Sequence, residues 1–223
     1  MRPARLPRVK ICCIGSAFEA ELAIRHGAAV VGLVSAMPSG PGVIPESEIA
    51  EIATRIPPGV ASFLLTSLQV GPAIIAQQHR CRTTAIQLVD RVEQKVYSAL
   101  RHALPGIGIV QVIHVTGRES LDEAQSLAQY VDALLLDSGN PTAAVKELGG
   151  TGRLHDWALS RTIRDTVGVP VYLAGGLTPE NAAEAIRVVG PFGLDVCSGV
   201  RTNGALDEAK LARFFEAVHS VTL

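Results

Sequence analysis

In VKICCIG, residues 9–15, a lysine stands two places before a pair of cysteines inside a run otherwise built of Val and Ile. If the run is a strand, Lys10, Cys12 and Ile14 face one side, and Val9, Ile11 and Cys13 face the other. A parallel strand buried on both faces normally reads as an unbroken apolar run, so a lysine and a thiol inside it call for a chemical reason. An ammonium beside a thiol favours the thiolate, the form that takes up a proton or attacks an electrophile. A second ionisable group, Asp137, closes the apolar stretch DALLLDSGN, residues 132–140. Such an Asp can simply cap a turn. Set at the end of one strand while Cys12 ends another, it can also be the second member of an acid–base pair. Three glycine-bearing turns follow, LGGTG at 148–152, LAGGL at 173–177 and CSGV at 197–200. Glycines at such places let backbone N–H groups come close to a phosphate, although one Gly-Gly alone is more often only a turn.

These groups need a scaffold, and the composition bounds it. With 223 residues and 48% hydrophobic content, the chain can bury a full core. Twenty basic against 21 acidic residues leave no basic footprint for nucleic acid and no polybasic surface for a membrane. No apolar run approaches the ~20 residues of a membrane span. MRPARLPR leads into a strand-like run rather than a signal-peptide core, so the expected location is the cytoplasm. The cysteines Cys12, Cys13, Cys81 and Cys197 lack the CxxC spacing of a zinc site, and no metal is expected. Their ordinary role would be that of small buried hydrophobes.

Strand-like runs fall at 9–14, 29–34, 61–65, 84–88, 109–115, 133–137, 171–174 and 194–198, with segments of helical periodicity such as FEAELAIRHG and VEQKVYSALRHAL between them. Thr178 before Pro179 and Glu180 reads as a helix start, and Gly27 and Gly190 as helix stops. Eight strands alternating with helices predict an α/β fold, a single (β/α)8 TIM barrel spanning 9–223 after a short tail, 1–8. Barrels of this kind carry their sites on the loops after the strands. LGGTG, between the sixth and seventh strands, and the turns after the seventh and eighth then place Gly152, Gly175, Gly176, Ser198 and Gly199 as candidate phosphate contacts.

Taken in order, KIC at 10–12, QL at 87–88, LLLDS at 134–138, GGTGRLHDW at 149–157, LAGGLTPENAAEAI at 173–186 and DVCSGV at 195–200 resemble phosphoribosylanthranilate isomerase of tryptophan biosynthesis. The resemblance spans nearly the whole chain. It implies a ribulose-phosphate-binding barrel that carries out an Amadori rearrangement of an N-phosphoribosyl amine without a cofactor, as a monomer or homodimer. It puts the general base on Cys12 and the general acid on Asp137, with Lys10 and Gln87 as further substrate contacts. The sequence departs from the family at three places. Cys13 replaces the glycine of KICG, Pro41 in SGPGV replaces the arginine that grips the anthranilate carboxylate, and Val89 in QLVD replaces a histidine. Loss of the arginine predicts weaker binding of that carboxylate unless Arg82, His114, Arg118, Arg153 or Arg201 substitutes. Two other readings remain: a lyase acting through a Lys10 Schiff base, and a phosphate-ligand binding barrel without catalysis.

Overall fold

The computed structural model describes residues 6–139 and 156–221. Short runs rich in branched residues form eight strands: β1 Arg8–Ile11, β2 Val30–Val34, β3 Ala61–Thr66, β4 Ala85–Leu88, β5 Gly108–His114, β6 Ala133–Asp137, β7 Val171–Leu173 and β8 Gly193–Val196. Between and after them the periodic segments form α1 Ala17–Arg25, α2 Glu46–Arg55, α3 Gly71–Cys81, α4 Gln94–Ala103, α5 Glu119–Leu127, α6 Trp157–Thr166, α7 Ala182–Val189 and α8 Glu208–His219. A two-stranded hairpin, β9 Arg201–Thr202 and β10 Ala205–Leu206, precedes α8. Strands β1 to β8 pair in sequence order, all parallel, and β8 pairs back onto β1 to close the barrel.

Strand alternation sorts the side chains into two layers. Val9 and Ile11 of β1, with Val31 and Leu33 of β2, point outward and pack with Leu22, Ile49 and Phe214 of the helices. The barrel interior holds Val30, Val34, Phe63, Leu65, Val110, Val112, Leu135 and Tyr172, with Cys12 and Cys13 at its upper end. Gly193 leaves room for the Tyr172 ring, which a β-carbon there would overlap.

Several boundaries differ from those the sequence suggests. β1 begins one residue early, at Arg8, and stops at Ile11, because Cys13 adopts φ 61° in the left-handed region and breaks the extended chain. Cys13 therefore turns into the interior beside Cys12, where strict alternation would have sent it to the opposite face. β8 stops at Val196, and Ser198–Val200 make a 3-10 turn. Helix α7 starts at Ala182, four residues past Thr178. Asn181 ties the intervening turn by accepting from Thr178 N (2.8 Å) and donating to the Gly176 carbonyl (2.9 Å). Both expected glycine stops are present, with φ 104° at Gly27 and 62° at Gly190. Among the described residues, no helix is long and apolar enough to cross a membrane.

Candidate active site

The site begins with strand register. In the β1–β8 ladder Lys10 stands beside Asp195, and both side chains point into the barrel. Lys10 Nζ donates to Asp195 Oδ2 at 2.8 Å and to Cys12 Sγ at 3.3 Å, with the lysine 0% and the aspartate 7% exposed. A buried lysine is tolerable only with such partners. Burial works against its charge, but Asp195 and Cys12 outweigh that and hold it protonated beyond the usual lysine range. The amine is therefore poorly placed to act as the nucleophile of a Schiff base, which must be neutral. Burial in turn pushes the Asp195 carboxyl above its ordinary value, Lys10 opposing and nearby Asp137 adding to the rise.

Cys12 is held below the ordinary thiol range. A hydrogen bond with Cys13 is the largest cause, burial opposes it, and the Lys10 charge adds to the lowering. The thiolate is thus stabilised from two sides. Space for the pair comes from β2, where a β-carbon on Gly32 would lie 2.9 Å from Cys12 Sγ and 3.0 Å from Lys10 Nζ. Asp137 ends β6, three strands round the barrel from β1, and is 7% exposed. Its Oδ1 accepts from Ser138 N at 2.7 Å, which fixes the carboxyl at the strand end.

Cys12, Asp137, Gln87, Gly175, Gly176 and Ser198 all line one cleft at the C-terminal mouth of the barrel, together with Cys13, Asp195 and Cys197. Gln87 Oε1 and Asp195 Oδ1 are buried without a protein partner, so each can take a hydrogen bond from a ligand hydroxyl or amine. Gly175 and Gly176 have φ of 84° and 62°. Gly199 is pressed against the Leu177 carbonyl and Thr178 Cα, so a side chain there would part the turns after β7 and β8. Gly152, the fifth expected phosphate contact, lies outside the described residues, as does Arg153.

The opposite wall of the cleft is formed by Val34, Met37, Ser39, Gly40, Pro41 and Leu65. Pro41 thus stands at the site, and no lysine or arginine among the described residues lines the cleft beside it. Arg82 caps α3 and opens onto a separate groove with His79 and Pro105. Arg118 precedes α5, and His114 Nε2 is bonded to the Val89 carbonyl at 3.0 Å. Arg201 is spent on structure: it makes a two-pronged pair with Glu19 of α1, 2.9 Å at each nitrogen, and bonds the Cys13 carbonyl at 2.5 Å.

Sequence reasoning missed Asp195 and the part played by Cys13. An acid inside the apolar run GLDV was the available signal for the first. The second depends on a backbone turn that residue types do not announce.

A closed parallel barrel with a thiol and a carboxyl facing one cleft, and glycine turns after its last two strands, defines a (β/α)8 enzyme of the ribulose-phosphate-binding type. Within that class, residues 9–217 match the family model described as N-(5'-phosphoribosyl)anthranilate (PRA) isomerase, and the chain belongs to this family. An N-(5'-phosphoribosyl)anthranilate isomerase of Methanosarcina mazei, its second, is 36% identical over 93% of this chain and 92% of its own. The crystal structure of phosphoribosyl anthranilate isomerase from Thermus thermophilus superposes with a TM-score of 0.81 at 27% identity, covering 96% of this chain and 98% of that one. A phosphoribosyl anthranilate isomerase solved with reduced 1-(o-carboxyphenylamino)-1-deoxyribulose 5-phosphate superposes at 0.77 with 26% identity, covering 96% and 100%.

Proposed function

We propose that Cys12 and Asp137 carry the two proton transfers of the Amadori rearrangement that defines this family of aldose–ketose isomerases. The observation that carries the reading is the placement of both groups on one cleft, with Cys12 bonded to Lys10 at 3.3 Å. Asp137 gives its proton to the furanose ring oxygen. The amine lone pair then opens the ring to an iminium, which acidifies the proton on C2. The Cys12 thiolate takes that proton, and the resulting enolamine tautomerises to the ketone. Neither step needs a cofactor. The unpartnered Gln87 and Asp195 oxygens are suited to the sugar hydroxyls, while the turns at Gly175, Gly176, Ser198 and Gly199 are suited to the phosphate.

The amine part of the substrate then lies against Val34, Met37, Leu65 and Pro41. With anthranilate as that part, its ring is well matched by this apolar wall, whereas its carboxylate meets no cation among the lining residues described. The defect should fall largely on KM. The deciding experiment is turnover of N-(5'-phosphoribosyl)anthranilate followed by loss of anthranilate-type fluorescence. Turnover with a raised KM, lowered by Pro41→Arg, supports the reading. No turnover in freshly reduced enzyme removes it, and a micromolar KM unchanged by Pro41→Arg means that another residue holds the carboxylate.

A further inference from the structure

Cys12 has two further thiols for neighbours. Cys13 Sγ and Cys197 Sγ lie 2.6 Å apart, closer than two unbonded sulfurs rest and only about half an ångström beyond a disulfide bond of ~2.05 Å. Both line the cleft. Their approach is built into the fold: Cys13 follows β1 and Cys197 follows β8, and Cys12 N bonds the Val196 carbonyl at 2.9 Å. Cys13 is fixed from three directions. Its backbone is left-handed, Arg201 grips its carbonyl, and Gly42 of the loop after β2 packs on it so tightly that a β-carbon there would lie 2.5 Å from Cys13 Cβ. Cys13 is 6% exposed and Cys197 is more open, which gives one member of the pair access to solvent.

We propose that Cys13 and Cys197 are an oxidisable pair, a modification site whose disulfide switches off the neighbouring Cys12. This rests on Cys12 being the catalytic base. The oxidant is a low-molecular-weight disulfide. The Cys197 thiolate attacks one of its sulfurs, forming a mixed disulfide and releasing one small thiolate. Cys13 then attacks Cys197 Sγ, its proton passing to the adjacent Cys12 thiolate, and the second small thiolate leaves. Two protein thiols are oxidised and one disulfide is reduced to two thiols. The protons given up by Cys13 and Cys197 end on those small thiols, the first by way of Cys12 and solvent. Once bonded to Cys197, Cys13 has no S–H left to donate to Cys12, and the turn that carries Ser198 is tied to the end of β1.

The test equilibrates the reduced protein with mixtures of oxidised and reduced glutathione, blocks free thiols with iodoacetamide, and maps tryptic peptides. The expected product joins peptide 11–25 to peptide 188–201, with the alkyl label on Cys12. Activity should fall at least ~10-fold in step with it, as impairment of a general base does, and return on reduction. Cys197→Ala should give no such product and a rate, whatever its size, that ignores the glutathione ratio. Absence of the cross-link in the wild-type chain, a label on Cys13 instead of Cys12, or a cross-linked enzyme of unchanged activity would each overturn the proposal. The peptide map reads the bond without any substrate, so an inactive protein that still forms it would count against the isomerase reading and not against the pair.

Discussion

Three neighbours of different kinds shape the reactivity of Cys12: an ammonium at Lys10, a thiol at Cys13 and a missing side chain at Gly32. Replacing Cys12 by Ser, or Asp137 by Asn, should lower kcat by at least ~100-fold while leaving the circular dichroism spectrum unchanged, the usual scale for a general base or acid. The pH profile adds a finer check. Because the Cys12 thiol is held low, activity should rise with pH and level off below the ordinary thiol value of about 8.5. Cys13→Ala, which removes the largest cause of the lowering, should move that rise to higher pH. Cys13→Ser keeps a donor and should move it less. A profile identical in all three would remove Cys13 from the account. At this scale Lys10, Cys12 and Asp137 were legible, because an ionisable group in an apolar strand is conspicuous and alternation places it. Asp195 was not singled out, since its meaning depends on lying beside Lys10 in a ladder between residues 185 apart. Cys13 was assigned to the wrong face because alternation fails once φ turns positive.

Between elements, the Arg201–Glu19 pair ties the hairpin after β8 to helix α1 and, through the Cys13 carbonyl, to the end of β1. Glu19 also accepts from Gly15 N and Leu206 N, at 2.9 and 2.8 Å. Burial alone would raise its carboxyl, but Arg201 and these two N–H groups hold it below the usual range. A depressed carboxyl contributes stability above its unfolded pKa and loses it as pH falls through the folded one. Glu19→Gln should therefore destabilise the protein by roughly 2 kcal/mol near neutral pH in urea melts, and the gap from wild type should narrow once the pH drops below about 4. A gap that stays constant into acid would show that the charge is not what matters. The loop after β2 gives a second test: Gly42→Ala forces a β-carbon onto Cys13, and Cys13→Gly should recover part of the lost stability. Strict additivity of the two changes would mean they do not touch. The helices and their glycine stops were readable from periodicity. The start of α7 was not, because a separate turn, held by Asn181 through Thr178 N and the Gly176 carbonyl, comes before the helix.

In the whole barrel, the proposed acid–base pair and the glycine turns occupy neighbouring arcs of one rim, β1 and β6 carrying the former and β7 and β8 the latter. Crystals soaked in inorganic phosphate should therefore show the anion at Gly175, Gly176, Ser198 and Gly199; an ion bound instead at Ser39 to Gly42 would reverse the orientation assigned to the substrate. The eight-strand architecture was legible because each strand is followed by a helical repeat, and a doubly wound sheet would usually show fewer strands before an antiparallel edge or a second domain. Closure was part of that expectation, but the register at the seam, which sets Lys10 beside Asp195, was not, because residue types do not announce it. That seam has a consequence for synthesis. Lys10 leaves the ribosome 185 residues ahead of its counter-ion Asp195. Until β8 emerges, β1 carries an uncompensated ammonium that resists burial in any compact intermediate, so the nascent chain has a reason to delay closing around the wrong neighbour and to settle the Lys10–Cys12 pair only once β8 is in place.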